Sequence, residues 1–514
     1  MSRGWAVPNE LVTQIIRDVE PRDVVNFALV CKRFLEASAG RLRLHHRYRR
    51  RYSVLDTNNG YTRVLLDGDA YLVRHLPRDE NLQMLIEPLR QAILQPSKAH
   101  YVATLAIGDH GTKFFTEGTQ GYASIFHNSC YYEYNQERTR ERLEEVQNLF
   151  KDRILRMKLI NGERVIADLE AYQTGTLVGL LLCHTLNISN LLLQHGDATF
   201  ASAFMRVLSD VQKSPGLCTL RNIQTITFQR GNDFHSRVET PYYLIDACLR
   251  LPTLRALHAG RIGWTDDDWD GKTSNNEPVT AGSSKVFFVE LVNNTIRGDM
   301  IERLDAFLAA FGEIDQFFWI LNPSGDAHSS DDESELSDCR VDHLVNKLAE
   351  IASSSLDNLK IPINAVKVRA PTHLNRFHKL AELWITFAML PPQEDVNSSN
   401  AATIFPQSLK KLTISDSWVA MLEDKVDSLI HLMGYRNLHF PNLEKLKLFL
   451  DDSGDDHAEE ETFMGVCDNV DKVKDMRRKQ GLELGVKYAA QRKAKGHLQR
   501  GWRSGRPEKG WNGF

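Results

Sequence analysis

The chain has 514 residues, 42% hydrophobic and 25% charged, with a formal net charge of -4. That length is too great for one compact core, so two or more domains, or one elongated array, are expected. The weak net charge excludes a chain built as a whole to bind nucleic acid or an anionic membrane. The opening MSRGWAVPNELVTQII lacks a long apolar stretch behind a basic start and does not read as a signal peptide. The most apolar stretch, Thr176–Leu193, is broken by Cys183, His184, Asn187 and Asn190 and is too short and polar to span a bilayer, so no membrane partner is expected. Seven cysteines lie far apart, at Cys31, Cys130, Cys183, Cys218, Cys248, Cys339 and Cys467. Their odd number and spacing fit no metal site and suggest a reducing compartment, cytoplasmic or nuclear. Asn187-Ile-Ser and Asn397-Ser-Ser match the glycosylation pattern, but without a secretory signal they read as accidental.

The first elements are helical. Pro8 stands where a helix can begin, because its fixed φ and missing N–H cost nothing there. Leu11, Ile15, Ile16 and Val19 then mark one face of a short helix. Glu20-Pro21-Arg22-Asp23 breaks it, and Asp23 can cap the next turn. Val24, Phe27, Leu29 and Val30 open a second apolar segment that runs through Cys31 to Phe34 and Leu35. Two or three short helices of this size bury too little surface to be very stable alone. Periodicity by itself fits a helical cap on a larger domain; the alternative is that the surplus apolar residues await a partner.

The order and spacing of Val7-Pro8, Leu11, Ile15-Ile16, Asp23-Val24, Val30-Cys31-Lys32 and Phe34 resemble the F-box, with Val at positions 7 and 24 where Leu is usual. The resemblance implies a three-helix module over residues 1–52 that docks on the Skp-type adaptor of a cullin-based ubiquitin ligase. It implies Val7, Pro8, Leu11, Ile15, Ile16, Val24, Val30, Cys31 and Phe34 as the adaptor-binding residues. Residues 41–52, RLRLHHRYRRRY, are basic. They read as a solvated helix end, favoured by the helix dipole, with Leu42, Leu44 and the two tyrosines facing inward. Nucleic acid is not the expected partner.

Past residue 80 an amphipathic helical stretch alternates with a short strand of the form apolar-x-x-apolar-x-apolar. The strands are Val102/Leu105/Ile107, Ile188/Leu191/Leu193, Ile223/Ile226/Phe228, Val286/Val289/Leu291, Ile314/Phe317/Trp319, Leu356/Leu359/Ile361, Leu380/Leu383/Ile385, Leu409/Leu412/Ile414 and Leu443/Leu446/Leu448. Leu254/Leu257 is a defective copy, and Ile154/Met157/Leu159 is either a further copy or the end of a helix. Helices are expected at Asn81–Leu94, Arg138–Lys151, Ala198–Gln212, Asp299–Phe311, Val341–Ala352 and Val419–Met433. One strand and one helix per unit is the signature of a leucine-rich solenoid. LKKLTIS and LEKLKLF resemble degenerate leucine-rich repeats, although the regular Asn of the strict consensus is missing from most units. The fold class expected is therefore α/β: an N-terminal three-helix F-box, then an irregular leucine-rich-repeat solenoid over 53–465 with a curved parallel sheet and outer helices. An ordinary α/β domain with a parallel sheet is the alternative.

Acidic insertions are expected near 264–278, 322–338 and 451–461, as solvated loops without calcium-loop spacing. Residues 466–514 read as a basic, flexible tail. Tyr122–Tyr134 places Cys130 near His127, but catalytic partners usually meet across a fold and not along it, so the stretch reads as a packed aromatic loop. Phosphate-loop, dinucleotide, nucleophile-elbow and zinc-helix motifs are absent from the sequence. No catalytic residue, metal or cofactor is expected. The expected function is a non-catalytic substrate receptor holding an unknown protein target; a leucine-rich scaffold without a ligase role is the second reading.

Overall fold

A computed structural model describes residues 7–19, 23–56, 62–66, 69–73, 83–107, 133–171, 173–193, 198–213, 218–228, 240–260, 262–264, 279–292, 301–320, 341–362, 374–390, 405–416, 422–434, 440–451, 471–475, 478 and 483–489. The described residues fall into two compact units. The first is bounded by Met1–Gly231, Arg237–Val289 and Ala309–Gly312, and the second by Asn232–Ser236, Glu290–Leu308 and Glu313–Phe514.

The first unit opens with three helices, α1 (Asn9–Asp18), α2 (Val24–Leu29) and α3 (Lys32–Tyr52). Strand β1 (Val54–Asp56) follows, then an antiparallel pair, β2 (Thr62–Leu66) and β3 (Asp69–Val73), that sequence patterning missed. Helices α4 (Gln83–Leu94) and α5 (Pro96–Ala99) lead into β4 (Thr104–Ile107). Strands β5 (Asn190–Leu193) and β6 (Thr225–Phe228) come next, and β7 (Thr240–Pro241) precedes β8 (Ala256–Gly260) and β9 (Ile262–Gly263). Strands β1, β4, β5, β6 and β8 pair in parallel in that order, and β7 pairs β9 separately. Register aligns Leu55, Leu105, Leu191, Ile226 and Leu257 across the ladder.

Strand β10 (Phe288–Val292) is divided between the units, Val289 ending a segment of the first and Glu290 opening one of the second. The second unit carries β11 (Gln316–Ile320), β12 (Asn358–Lys360), β13 (Glu382–Thr386), β14 (Lys411–Asp416), β15 (Lys445–Asp451) and β16 (Glu483–Ala489). They pair in parallel in chain order, with Phe317, Leu359, Leu383, Leu412, Leu446 and Leu484 in register. Parallel neighbours need a crossover, and helices such as Val341–Ala352 and Leu422–Gly434 supply it.

The strand pattern is legible because its apolar positions are core positions. All three residues of Ile314/Phe317/Trp319, Leu356/Leu359/Ile361 and Leu409/Leu412/Ile414 are fully buried. Two hydrogen-bond features repeat beside them. The carbonyl ahead of a strand repeatedly accepts two consecutive N–H groups of the next unit, as Ser189 does from Gln224 and Thr225 and Ala381 from Lys410 and Lys411. The residue just before the first apolar position also reaches back with its side chain. The longer amides of Asn187, Asn222 and Asn442 reach His100, Leu186 and Gln407, while the shorter hydroxyls of Thr253, Ser355 and Ser408 reach the nearer carbonyls of Ile223, Ile314 and Leu380. Three residue types, Asn, Thr and Ser, thus make one kind of backward-reaching hydrogen bond between successive units.

Of the two readings of Ile154/Met157/Leu159 the helix end holds, since Ile154 and Met157 belong to helix Glu133–Met157. Other expectations are corrected. Much of the apolar stretch 176–193 is helix Thr174–His184, buried on every side, which is why it is apolar all round. Trp264, expected to open an acidic loop, is 2% exposed and stacks on Tyr242 with ring centroids 5.5 Å apart. Residues 483–489, expected within a flexible tail, form β16. The acidic stretches 265–278, 322–338 and 452–461, and Cys130 with His127, lie outside the described residues. Among the described residues no helix is long and apolar enough to cross a membrane.

Candidate functional site: an apolar surface on the N-terminal helices

Helix α1 carries two apolar stripes side by side. Val12 and Ile16, four apart, are 0% and 5% exposed and face the other helices. Leu11 and Ile15, one position back on the wheel, are 50% and 45% exposed. In α2, Val24 and Ala28 are buried while Leu29 and Val30, at the end of the helix, are 70% and 68% exposed. Phe27 of α2 stacks on Phe34 of α3, with centroids 4.7 Å apart and planes 4° from parallel.

Pro8 precedes the first helical residue of α1, Glu10 lies in its first turn and Arg17 in its last, as the helix dipole favours. Cys31 is the extended residue that precedes α3. At the far end of α3, His45 and Tyr48 meet Tyr101 at centroid distances of 5.3 and 5.5 Å, and Lys98 sits over the ring of Tyr52 at 5.6 Å. Burial lowers the His45 pKa, helped by His46, Arg49 and Arg41, and burial raises that of Tyr101. The three-helix module is thus keyed to α5 and the start of β4 through aromatic packing.

Of the residues that sequence reasoning singled out, Val7, Pro8, Leu11, Ile15, Val30 and Cys31 are exposed. Phe34 is half-buried against Phe27, and Ile16 and Val24 are buried within the module. Two further exposed apolar residues, Leu29 and Leu35 at 70% and 44%, lie outside the adaptor-binding set that the resemblance implies. Their signal lies in helix geometry. Once Val24 and Ala28 form the buried stripe of so short a helix, the next residue turns about 100° away from it. Six of the ten large apolar side chains exposed among the described residues fall within residues 7–35: Val7, Leu11, Ile15, Leu29, Val30 and Leu35. Monomeric surfaces seldom keep such a concentration without a partner. Among the described residues, no group of three or more His, Cys, Asp or Glu is placed to hold a metal ion.

Comparison with protein families matches residues 6–45 to the F-box domain. No curated protein matches the chain. An F-box domain implies binding to a Skp-type adaptor of ubiquitin ligases, and F-box proteins are generally non-catalytic substrate receptors. The matched segment is the one that carries α1, α2, most of α3 and the apolar surface, and it supports reading the chain as an F-box protein.

Proposed function

We propose that this chain is the substrate-recognition subunit of a cullin-type ubiquitin ligase. The observation that carries the reading is the gathering of exposed apolar side chains on α1, α2 and the start of α3. Docking on the adaptor covers Val7, Pro8, Leu11, Ile15, Leu29, Val30, Cys31 and Leu35 and the open edge of Phe34, while Ile16 and Val24 hold the helices in the shape that presents them. Fully covering one large aliphatic side chain is worth about 1.5–3 kcal/mol, so a handful of these supplies a stable interface even after the cost of association.

The strand–helix units serve as a leucine-rich-repeat solenoid that holds a protein target. Buried motif residues, register-matched apolar rows and the backward-reaching polar ladder support that reading. The gain is effective concentration: target and ubiquitin-charged enzyme are held in one assembly, and no chemistry is required of this chain. Purification of the full chain from cells is expected to bring a Skp-type adaptor and a cullin with it. Absence of both contradicts the proposal and leaves a scaffold.

A further inference from the structure

The outward rows of the second unit's sheet are not uniform. Register sets Gln316, Asn358, Glu382, Lys411, Lys445 and Glu483 in one row and Phe318, Lys360, Trp384, Thr413 and Lys447 in the next. In the first row the charges are spent locally. Lys411 pairs with Glu382 at 2.6 Å, and Lys445 pairs with Glu483.

Lys360, in the second row, is held differently. Its ammonium sits 3.8 Å from the ring centre of Phe318 and 5.7 Å from that of Trp384. Among the described residues no carboxylate lies within ion-pairing range of it; Glu382 and Glu290 act on it only from farther away. Burial is the largest influence on its pKa, which is lowered. Trp384 is itself fixed. Its indole N–H donates to Ser415 Oγ at 2.9 Å, and its ring lies 5.8 Å from that of Phe449. The result is a preset aromatic platform with one oriented, half-buried cation. Covering such a cation with apolar surface would strip its remaining water without compensation. A carboxylate brought by the partner would make a charge-assisted hydrogen bond in partly dry surroundings, the strong kind.

We infer that this platform, Phe318–Lys360–Trp384–Phe449, receives an extended protein segment in which an acidic side chain sits on Lys360 and a neighbouring apolar side chain sits on Trp384 and Phe449. The inference rests on the receptor reading and gives its target a chemistry.

The test uses the full chain and three labelled probes followed by fluorescence anisotropy. One is a degenerate peptide pool in which Glu alternates with Leu and Phe. The second is the same pool with Lys in place of Glu, and the third is a uridine oligonucleotide. The acidic pool is expected to bind more tightly than the basic one. Lys360→Met, which keeps the apolar stem and removes the charge, is expected to weaken the acidic pool by about tenfold or more. Lys360→Glu should reverse the preference between pools, and Trp384→Ala should weaken both. Near-UV circular dichroism separates misfolding from lost binding; if Lys360→Glu unfolds, Lys360→Met decides. Equal binding of both pools to the native chain, or acidic binding unchanged in folded Lys360→Met, overturns the inference. Displacement of the acidic pool by the oligonucleotide also overturns it, in favour of a nucleic-acid surface. Adaptor binding measured on the same variants keeps the two readings apart. If it persists while the peptides fail, only this partner chemistry falls.

Discussion

Arg33, at the start of α3, clamps Asn9, at the start of α1: its Nε and Nη2 donate to Asn9 Oδ1 at 2.9 and 2.6 Å, and Nη2 also donates to the carbonyl of Val7. Residues far apart in the chain are thereby held together, and the segment entering α1 is tied to the start of α3. Arg33→Ala removes that clamp without opening the core, since Val12, Ile16, Val24 and Ala28 remain packed. Each hydrogen bond of this exposed kind is worth on the order of 1 kcal/mol, so adaptor affinity should drop several-fold. Far-UV circular dichroism should stay unchanged. Arg33→Lys, which cannot make the fork, should not restore affinity; full recovery with Lys would show that charge alone matters.

A second prediction concerns glycine. In helix Thr174–His184 a Cβ added at Gly179 would lie 2.7 Å from Val207 Cβ, and one at Gly175 would collide with the backbone of Phe200 and Phe204. Helix Ala198–Lys213 therefore approaches this helix along its glycines. Replacing a helical Gly by Ala ordinarily stabilises by about 0.5–1 kcal/mol. Here the sign should invert, with Gly175→Ala destabilising by about 1–3 kcal/mol through overpacking. Gly40 in α3 has nothing within 4 Å of its would-be Cβ, so Gly40→Ala should show the ordinary gain. Urea midpoints of the two variants moving in the same direction would contradict this.

Stability should also depend on pH through His184. Its Nε2 accepts a hydrogen bond from Arg153 Nε at 3.3 Å, which requires the neutral ring. Burial first, and Arg153 second, lower its pKa from 6.5 to about 4. The unfolded chain therefore binds the extra proton between these values. The contribution of His184 is fully present above pH about 6.5 and is lost as pH falls toward about 4, amounting to roughly 3 kcal/mol. His184→Gln, which can keep an acceptor for Arg153, should flatten the dependence of urea stability on pH in that window.

Much of the sheet was readable in the sequence because the apolar-x-x-apolar-x-apolar pattern marks positions that are buried whatever the neighbouring unit looks like. The polar ladder was not readable. Asn442, Ser408 and Thr253 do one job with different reach, and no single letter repeats. Strand β16 was hidden because Leu484, Val486 and Tyr488 alternate inside a window dominated by lysine and arginine. In the N-terminal module the sequence marked the apolar residues but not their direction. Leu11 and Val12, or Ile15 and Ile16, are neighbours of similar character, and only the packing of α3 decides which of each pair turns inward. The β2–β3 pair had no counterpart in the sequence reading.

The most direct test is adaptor binding by the full chain carrying Leu11→Asp and Val30→Asp. Both side chains are at least half exposed, so thermal stability should stay close to that of the unsubstituted chain, whereas Ile16→Ala, at a buried position, should cost about 2–4 kcal/mol. Two carboxylates buried without partners in the interface should abolish capture of a Skp-type adaptor. Loss of capture with stability retained is the predicted result; undiminished capture by the folded double variant would contradict the account.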